Sequence, residues 1–117
     1  MENKRIAFIG VGHIVRALIA GLLPGEIMKK STVILAGPHR ETFRDLGEKY
    51  VLEITTNNKE AAENADIIFI GVRPKIVRDA VAEITDVVKK DALIISIAAG
   101  VTFDLLQKYF GRSDMKI

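Results

Sequence analysis

The chain has 117 residues, of which 49% are hydrophobic and 27% are charged, and its formal net charge is +2. This length suits one domain, and the composition supports a buried core and excludes disorder by composition. The chain has no cysteine, which excludes a disulfide framework, a thiolate metal site and a cysteine nucleophile. Acidic residues are interspersed with the basic ones, and no apolar run approaches the ~18 residues of a membrane span. We therefore expect a cytoplasmic protein without a signal peptide, a nucleic-acid partner or a membrane segment.

Strand-like and helix-like segments alternate along the whole chain. In chain order, the predicted elements are a strand at 6–9, a helix at 13–23, a strand at 32–36, a helix at 41–50, a strand at 51–54, a helix from Asn57 or Asn58 to 64, a strand at 67–70, a helix at 75–88, a strand at 92–97, a helix from Thr102 or Asp104 to 110, and the start of a strand at 115–117. Apolar residues at spacings of three and four indicate the helices. Pro24, Gly25 and Gly111 are predicted to stop two of them.

Three of the predicted strands, the first, fourth and fifth, are continuous apolar runs rather than alternating patterns. Such runs are typical of a parallel sheet that helices cover on both faces. The alternation of strands and helices therefore predicts an α/β fold with a doubly wound (Rossmann), mostly parallel sheet. We expect three α/β/α layers and the strand order 3-2-1-4-5-6. Right-handed crossovers would then place the carboxyl end of every strand at one edge, where ligands bind in this fold class.

The most informative segment is the glycine turn after the first strand, Gly10-Val11-Gly12, from which the first helix begins directly. This arrangement is typical of a dinucleotide-binding βαβ unit. Gly10 allows a sharp turn, and Gly12 has no Cβ, so a pyrophosphate could approach the backbone and the positive end of the helix dipole. Val15 stands where the fingerprint has its third small residue. We interpret His13 as flanking the pyrophosphate, because a catalytic role would need a partner that the sequence does not show.

The loop after the second strand would choose between NAD and NADP. An acidic residue there would bond the ribose 2′-hydroxyl, but none occurs before Glu41. Gly37 and Pro38 instead shape a turn that offers His39 and Arg40. The planar guanidinium of Arg40 suits a 2′-phosphate, which favours NADP. The alternative is that Arg40 is a solvated residue in the first turn of the next helix.

The loops after the other strands contain candidate residues, and each of these residues has two possible interpretations. Asn58 could cap a helix or contact the cofactor from a loop that borders its adenosine end. Arg73, next to the helix-starting Pro74, could face solvent or line the cleft where the nicotinamide would lie. The small residues at 98–100 fit the close approach of a flat ring to the backbone, and packing alone would also explain them.

The sequence shows no catalytic constellation. Ser96 and Thr102 have no His–Asp partner, so serine-type nucleophilic catalysis is not expected. His13 and His39 lie at different strand ends without a carboxylate cluster, so no metal site is expected. We therefore predict a cofactor-binding domain that holds no catalytic residue of its own.

With these motifs, the chain resembles the N-terminal domain of the pyrroline-5-carboxylate reductases, the last enzymes of proline synthesis. The resemblance covers essentially the whole chain. It rests on the ordered segments IGVGHI at 9–14, GLL at 21–23, NNKEA at 57–61, ADIIFIGVRP at 65–74 and ISIAAGVT at 95–102. The last two segments are the more specific ones, because a generic dinucleotide-binding domain has neither.

The resemblance implies a domain that binds NADP, with NAD less favoured, in an enzyme that passes hydride to the C=N bond of 1-pyrroline-5-carboxylate and gives L-proline. It implies that residues 9–14 hold the pyrophosphate, that 37–40 lie near the adenosine 2′-position and that Asn58 contacts the adenosine ribose. Residues 71–74 and 98–100 would line the nicotinamide half. The predicted cofactor-binding residues are thus Ile9, Gly10, Val11, Gly12, His13, Ile14, Gly37, Pro38, His39, Arg40, Asn58, Gly71, Val72, Arg73, Pro74, Ala98, Ala99 and Gly100.

The chain also departs from that family. Val15 replaces the usual Ala, so the first helix is expected slightly further from the first strand, and Arg73 replaces the usual Lys. The resemblance implies a helical C-terminal domain that supplies the substrate pocket and builds the dimer, and we expect this domain to be absent from this chain. We therefore expect the chain alone to be inactive, while a homo-oligomer stays possible. Two alternatives stay open: a related NADP-binding domain of the F420-dependent NADP reductase or β-hydroxyacid dehydrogenase type, and a stand-alone nucleotide-binding module without turnover.

Overall fold

The computed structural model describes residues 4–22, 32–98 and 100–117. Within these residues, five parallel strands form one sheet in the order β3-β2-β1-β4-β5. The strands are β1 (Arg5–Ile9), β2 (Thr32–Ala36), β3 (Glu53–Thr55), β4 (Ile67–Ile70) and β5 (Leu93–Ser96). The predicted doubly wound parallel sheet and the order of its first five strands are confirmed.

Helices connect the strands. They are α1 (His13–Leu22), α2 (Arg44–Tyr50), α3 (Asn58–Ala62), α4 (Pro74–Ile84) and α5 (Phe103–Phe110), and a short 3₁₀ turn (Arg40–Thr42) precedes α2. Side-chain caps explain two starts: the backbone N–H of Glu60 donates to Asn57 Oδ1 at 3.2 Å, and that of Leu105 donates to Thr102 Oγ1 at 3.1 Å. Gly111, with φ 64°, ends α5 in the left-handed conformation. None of the helices in the described residues is long and apolar enough to cross a membrane.

The core lies on both faces of the sheet. On one face, α1 and α2 cover β1 and β2, with Val15 and Ile19 buried against the strands. On the other face, α3, α4 and α5 cover the sheet, and Ile68 and Ile70 of β4 are fully buried beneath them. These two clusters confirm the predicted three-layer α/β/α architecture.

The segment after α5 returns to the sheet beside β5. The Ile94 N–H donates to the carbonyl of Lys116 at 2.6 Å, and the Lys116 N–H donates to the carbonyl of Ala92 at 2.8 Å. Lys116 thereby forms an isolated parallel bridge with Leu93. Residues 115–117 occupy the position predicted for a sixth strand, although only this one bridge is formed.

Two element boundaries differ from the prediction around α2. The predicted helix at 41–50 is divided into the 3₁₀ turn and α2, because Phe43 has φ −135° and ψ 10° and interrupts the helical backbone. The predicted strand at 51–54 begins later, at Glu53, because Val51 is the left-handed C-cap of α2 with φ 56°. The β-branched side chain of Val51 favoured a strand in the prediction. In the structure this side chain is 90% exposed and the strand does not include it.

Two of the predicted helices end earlier in the structure than the sequence indicated. The helix predicted at 75–88 begins at Pro74 and ends at Ile84. The helix predicted to 64 ends at Ala62. Leu23 and the predicted stop at Pro24 and Gly25 lie outside the described residues.

Candidate functional site

The loops that leave four strands start in register along one edge of the sheet. The Gly37 N–H donates to the carbonyl of Thr55 at 3.2 Å, and the Gly10 N–H donates to the carbonyl of Ala36 at 2.8 Å. Two further bonds continue the row, from Gly71 to Ile9 at 2.8 Å and from Ile97 to Ile70 at 3.0 Å. The carboxyl ends of β1, β2, β4 and β5 therefore meet at one edge, as the sequence predicted.

The two glycines of the turn after β1 have different roles. Gly10 has φ +92°, and a Cβ there would lie 2.6 Å from Val72 Cγ1 and 2.8 Å from the Val72 backbone nitrogen. The fold therefore requires a glycine at position 10, where the turn passes against the loop after β4. Gly12 is exposed, and a Cβ there would meet no atom within 4 Å. Position 12 is thus open space that a ligand can occupy.

Val15, the departure from the dinucleotide fingerprint, packs against Gly71. Val15 is 1% exposed, and a Cβ on Gly71 would lie only 2.4 Å from Val15 Cγ2. The glycine at position 71 leaves the volume that the valine fills. The structure thus accommodates Val15 at the third fingerprint position because residue 71 has no side chain.

A cleft of about 690 Å³ opens beside the glycine turn. Its walls come from the turn and the start of α1, from the loops after β4 and β5, and from the 3₁₀ turn. The lining residues are Val11, Gly12, His13, Ile14, Arg16, Thr42, Gly71, Val72, Arg73, Pro74, Ile97 and Ala98. The structure therefore brings together the predicted pyrophosphate and nicotinamide segments around one space.

The electrostatics of the cleft favour an anion. The 10-residue α1 begins at the cleft, and its first turn contains no acidic residue. Its first intrahelical bond runs from the Arg16 N–H to the carbonyl of Gly12 at 3.0 Å, so the N–H groups before it have no intrahelical acceptor. These donors and the positive end of the helix dipole suit a pyrophosphate.

Arg16 and Thr42 line the cleft but were not predicted as site residues. The Arg16 guanidinium donates to both carboxylate oxygens of Asp45 at 3.0 Å and to the carbonyl of Thr42. Hydrogen bonding between the Arg16 and Asp45 side chains is the main reason why the pKa of Arg16 is raised and the pKa of Asp45 is lowered. The position of Arg16 in the first turn of α1, four residues after Gly12, was a signal that could have identified it.

The loop after β2 lies next to the cleft rather than in its wall. Pro38, His39 and Arg40 are exposed, and Gly37 is buried beside the ring of Phe43. His39 Nδ1 lies 4.0 Å from a carboxylate oxygen of Glu41. Arg40 stands at the start of the 3₁₀ turn, whose last residue, Thr42, reaches the cleft. None of the predicted 2′-phosphate residues lines the cleft, although Thr42, two residues after Arg40, does.

Asn58 is the first residue of α3, and Asn57 supplies the cap. The Asn58 side-chain amide donates to Glu83 Oε2 of α4 at 3.3 Å, so it faces α4 and is not among the residues that line the cleft. Gly100 has φ +77° and is exposed. Ala99 lies outside the described residues. The cofactor contacts predicted for Asn58 and Ala99 stay predictions, as do those of the other predicted site residues.

Among the residues that the structure describes, no group of three or more His, Asp or Glu side chains is arranged to hold a metal ion. The cleft offers a ligand backbone N–H donors, the Arg16 guanidinium that is paired with Asp45, and several small residues. A parallel sheet with an open glycine turn, a helix N-terminus and a cleft at one edge defines the class of dinucleotide-binding α/β domains. Residues 5–100 match the family described as NADP oxidoreductase, coenzyme F420-dependent, and the chain belongs to this family.

Curated relatives confirm the resemblance found in the sequence. The chain is 35% identical over 115 residues to the pyrroline-5-carboxylate reductase of Escherichia coli strain K12. This alignment covers 98% of this chain and 42% of that relative. It is 32% identical over 110 residues to pyrroline-5-carboxylate reductase 2 of Bacillus subtilis strain 168, with 93% and 39% covered. The chain thus spans about two fifths of the length of these relatives.

Solved structures show the same fold. A pyrroline-5-carboxylate reductase from Coxiella burnetii matches with a TM-score of 0.86 at 26% identity, over 95% of this chain and 41% of that one. A Plasmodium falciparum pyrroline carboxylate reductase with NADP bound matches with a TM-score of 0.82 at 28% identity, over 98% and 41%. The predicted fold, a Rossmann-type α/β domain similar to part of these reductases, is confirmed.

Proposed function

We propose that this chain binds NADPH as the cofactor domain of a reductase that acts on 1-pyrroline-5-carboxylate. The observation that carries the proposal is the open space at Gly12, at the N-terminus of α1 and in the wall of the cleft. A pyrophosphate there would meet backbone donors and no side chain of residue 12. The relatives named as pyrroline-5-carboxylate reductases, one of them with NADP bound, support the choice of cofactor and substrate.

In this proposal, each loop of the edge holds one part of the cofactor. Residues 9–14 hold the pyrophosphate, His39 and Arg40 face the 2′-phosphate, and Asn58 contacts the adenosine ribose. Residues 71–74 and 98–100 line the nicotinamide half. When bound, the reduced nicotinamide supplies hydride to the imine carbon of the substrate, and the ring nitrogen takes a proton to give L-proline.

We further propose that turnover needs a second, helical domain, which supplies the substrate pocket and forms a homo-oligomer. The relatives are more than twice as long as the part that this chain matches, which supports such a domain. We also propose that the protein acts in the cytoplasm, where proline synthesis would take place.

The family description favours a second candidate function, in which the cofactor F420 exchanges hydride with NADP. The gene product that carries this chain separates the two candidates. With NADPH, we expect it to turn over 1-pyrroline-5-carboxylate and not oxidised F420, as measured by NADPH absorbance. The opposite result would replace the first candidate with the second.

Gly12→Val tests the cofactor site directly. Its side chain would occupy the space proposed for the pyrophosphate, so we expect it to abolish NADPH binding, as measured by titration with detection of cofactor fluorescence. The variant should still fold, because a Cβ at Gly12 has no neighbour within 4 Å. Gly21→Val is the matched control, because Gly21 lies on the same helix with equally open space.

The two glycine variants give a clear decision. We expect Gly21→Val to bind NADPH as the unmodified protein does. Unchanged affinity in Gly12→Val would place the pyrophosphate elsewhere. An unmodified protein that does not bind NADPH at millimolar concentration would overturn the proposal itself.

Arg40→Asp tests the preference for NADP. Exchange of a phosphate-binding cation for an acid should shift the preference from NADPH toward NADH by about 1–3 kcal/mol, the scale of a charge-assisted hydrogen bond. The measurement is the ratio of the two dissociation constants. Arg78→Asp, at an exposed site on α4, makes the same charge change and should leave the ratio unaltered. An unaltered ratio in Arg40→Asp would move the 2′-phosphate away from this loop.

A further inference from the structure

The pair formed by Arg16 and Asp45 connects two parts of the proposed site. The Arg16 guanidinium meets both carboxylate oxygens of Asp45 at 3.0 Å, in the parallel two-bond geometry that Arg and carboxylate groups prefer. The same guanidinium donates to the carbonyl of Thr42. Arg16 lies in the first turn of α1, and Thr42 ends the 3₁₀ turn that begins at Arg40. One side chain thus joins the pyrophosphate helix to the turn that carries the predicted 2′-phosphate residues.

Within the part of the chain that the structure describes, few other hydrogen bonds support the 3₁₀ turn. Its own bonds are those from the Thr42 N–H to the carbonyl of His39 at 3.0 Å and from the Phe43 N–H to the carbonyl of Arg40 at 3.2 Å. The Thr42 hydroxyl adds one bond to the same His39 carbonyl, at 2.7 Å. No side chain caps the turn or α2, and residues 40–42 are all exposed. The buried Phe43 ring holds one end of the turn, and Arg16 holds its last carbonyl.

The exposure of the pair indicates what it contributes. The side chains of Arg16 and Asp45 are 31% and 67% exposed. Ion pairs at such exposure contribute little to global stability, because water and salt screen them. They still restrict the positions of the groups that they join, since the planar guanidinium fork requires a fixed approach. A role in local positioning therefore explains this arrangement better than a role in stability.

We infer that Arg16 and Asp45 are positioning residues that hold the 39–42 turn beside the cleft and so set the preference for a 2′-phosphate over a 2′-hydroxyl. This inference rests on the proposed function, because it assigns the turn to the 2′ end of the cofactor. Asp45 never touches the cofactor in this arrangement. Its effect passes through the guanidinium and the carbonyl of Thr42 to His39 and Arg40.

Asp45→Asn, Arg16→Gln and the double variant test the inference. Each change releases the same turn, so each should lower NADPH affinity by roughly tenfold relative to NADH affinity, and the double variant should lose no more than either single one. The measurement is the ratio of NADPH to NADH dissociation constants. Asp114→Asn is the matched control, since it breaks another Arg–Asp pair with two hydrogen bonds, away from the cleft, and should leave the ratio unaltered.

Three results would overturn the inference while NADPH binding by the unmodified protein upholds the proposed function. Equal losses for NADPH and NADH would show a merely structural role. A loss in Arg16→Gln with none in Asp45→Asn would show that Arg16 binds the cofactor directly. An unaltered ratio in both would show that neither residue positions the turn. If the unmodified protein binds no NADPH, the proposed function fails and the inference fails with it.

A measurement without cofactor checks the same step. The amide hydrogens of Thr42 and Phe43 are protected by the bonds of the turn, so their exchange should be faster in Asp45→Asn and unaltered in Asp114→Asn. Unaltered exchange in Asp45→Asn would overturn the inference, whatever the cofactor measurements give.

Discussion

An arginine–aspartate pair joined by two hydrogen bonds lies at each end of the strands, one at the carboxyl edge of the sheet and one near the amino edge, but the two arginines bind different backbone carbonyls. At the carboxyl edge, Arg16 binds Asp45 and the carbonyl of an exposed turn. Near the amino edge, Arg112 binds Asp114 at 2.8 and 2.9 Å and also donates to the carbonyls of Thr85 and Val88, at 2.6 and 2.7 Å, where α4 ends.

The difference lies in the carbonyls that each arginine reaches. Arg112 satisfies the carbonyls of two residues that follow the last residue of α4, so it stabilises the packing of the end of α4 against the segment after α5. Arg16 reaches a single carbonyl in a turn that borders the cleft. The same chemistry therefore supports the fold at one edge and orders the proposed site at the other. Substitutions at the two edges should separate stability from cofactor binding.

Gly10→Ala should have the largest effect, and it sharpens the comparison because Gly10 belongs to the carboxyl edge yet supports the fold. The new Cβ would lie 2.6 Å from Val72 Cγ1 and 2.9 Å from the carbonyl carbon of Gly71, at φ +92°. Overpacking and backbone strain together should lower the free energy of unfolding by about 3 kcal/mol or more. Denaturant unfolding measures this loss.

Gly12→Ala is the control within the same turn. A Cβ at Gly12 meets nothing within 4 Å, so its free energy of unfolding should stay within about 0.5 kcal/mol of the unmodified value. Equal stability of the two alanine variants would contradict the close approach of the turn to the loop after β4.

Arg112→Ala should have the next largest effect, and it tests the amino edge. Loss of the guanidinium leaves the carbonyls of Thr85 and Val88 without this donor, which should lower the free energy of unfolding by about 1–3 kcal/mol. NADPH affinity should not change in the folded variant. Arg78→Ala, at an exposed position of α4, is the control and should alter neither quantity. A fall in NADPH affinity in folded Arg112→Ala would show that the two edges are coupled and would break the comparison.

The architecture could be predicted from the sequence because its signals are local. Continuous apolar runs such as Ile67–Ile70 indicate strands that are buried on both faces, and the alternation with helices leaves few possible topologies. The shared edge of the strand-end loops followed from that topology. For the same reason, the glycine turn could be placed at that edge before its geometry was known.

The parts that were not predicted depend on residues far apart in the chain. Asp45 lies 29 positions from Arg16, so no local pattern indicates that the two meet or that Thr42 reaches the cleft. Backbone conformation was a second source of error: Val51 takes a left-handed conformation that β-branched residues rarely adopt, so strand propensity was misleading there. In α4, the helical spacing does not by itself show which apolar residues are covered, since Val77 is fully buried and the adjacent Ile76 is 41% exposed.

The smallest expected effect is the dependence of stability on low pH, and it compares one carboxylate at each of the two edges of the sheet. At the amino edge, Asp66 accepts hydrogen bonds from Lys89 and, at 2.8 Å, from the Arg5 N–H, and these bonds hold its pKa below the ordinary 3.8. The hydrogen bond from Arg16 lowers the pKa of Asp45 at the carboxyl edge. A folded-state pKa below the unfolded value means that the stabilisation is present above the unfolded value and is lost as pH falls through the folded one.

Asp66→Asn should therefore be less stable than the unmodified protein near neutral pH, by less than Arg112→Ala is, because Asp66 is only partly buried. The difference should shrink as pH falls below the ordinary 3.8, since protonation of Asp66 removes the same negative charge that the substitution removes. Urea unfolding midpoints across this range measure it, with Asp45→Asn as the matched variant at the other edge. Because Asp45 is the more exposed carboxylate, Asp45→Asn should show the weaker pH dependence of stability. Of the two variants, only Asp66→Asn should keep the ratio of NADPH to NADH dissociation constants of the unmodified protein. A stability difference in Asp66→Asn that does not vary with pH would show that the amide fails for reasons of shape rather than charge.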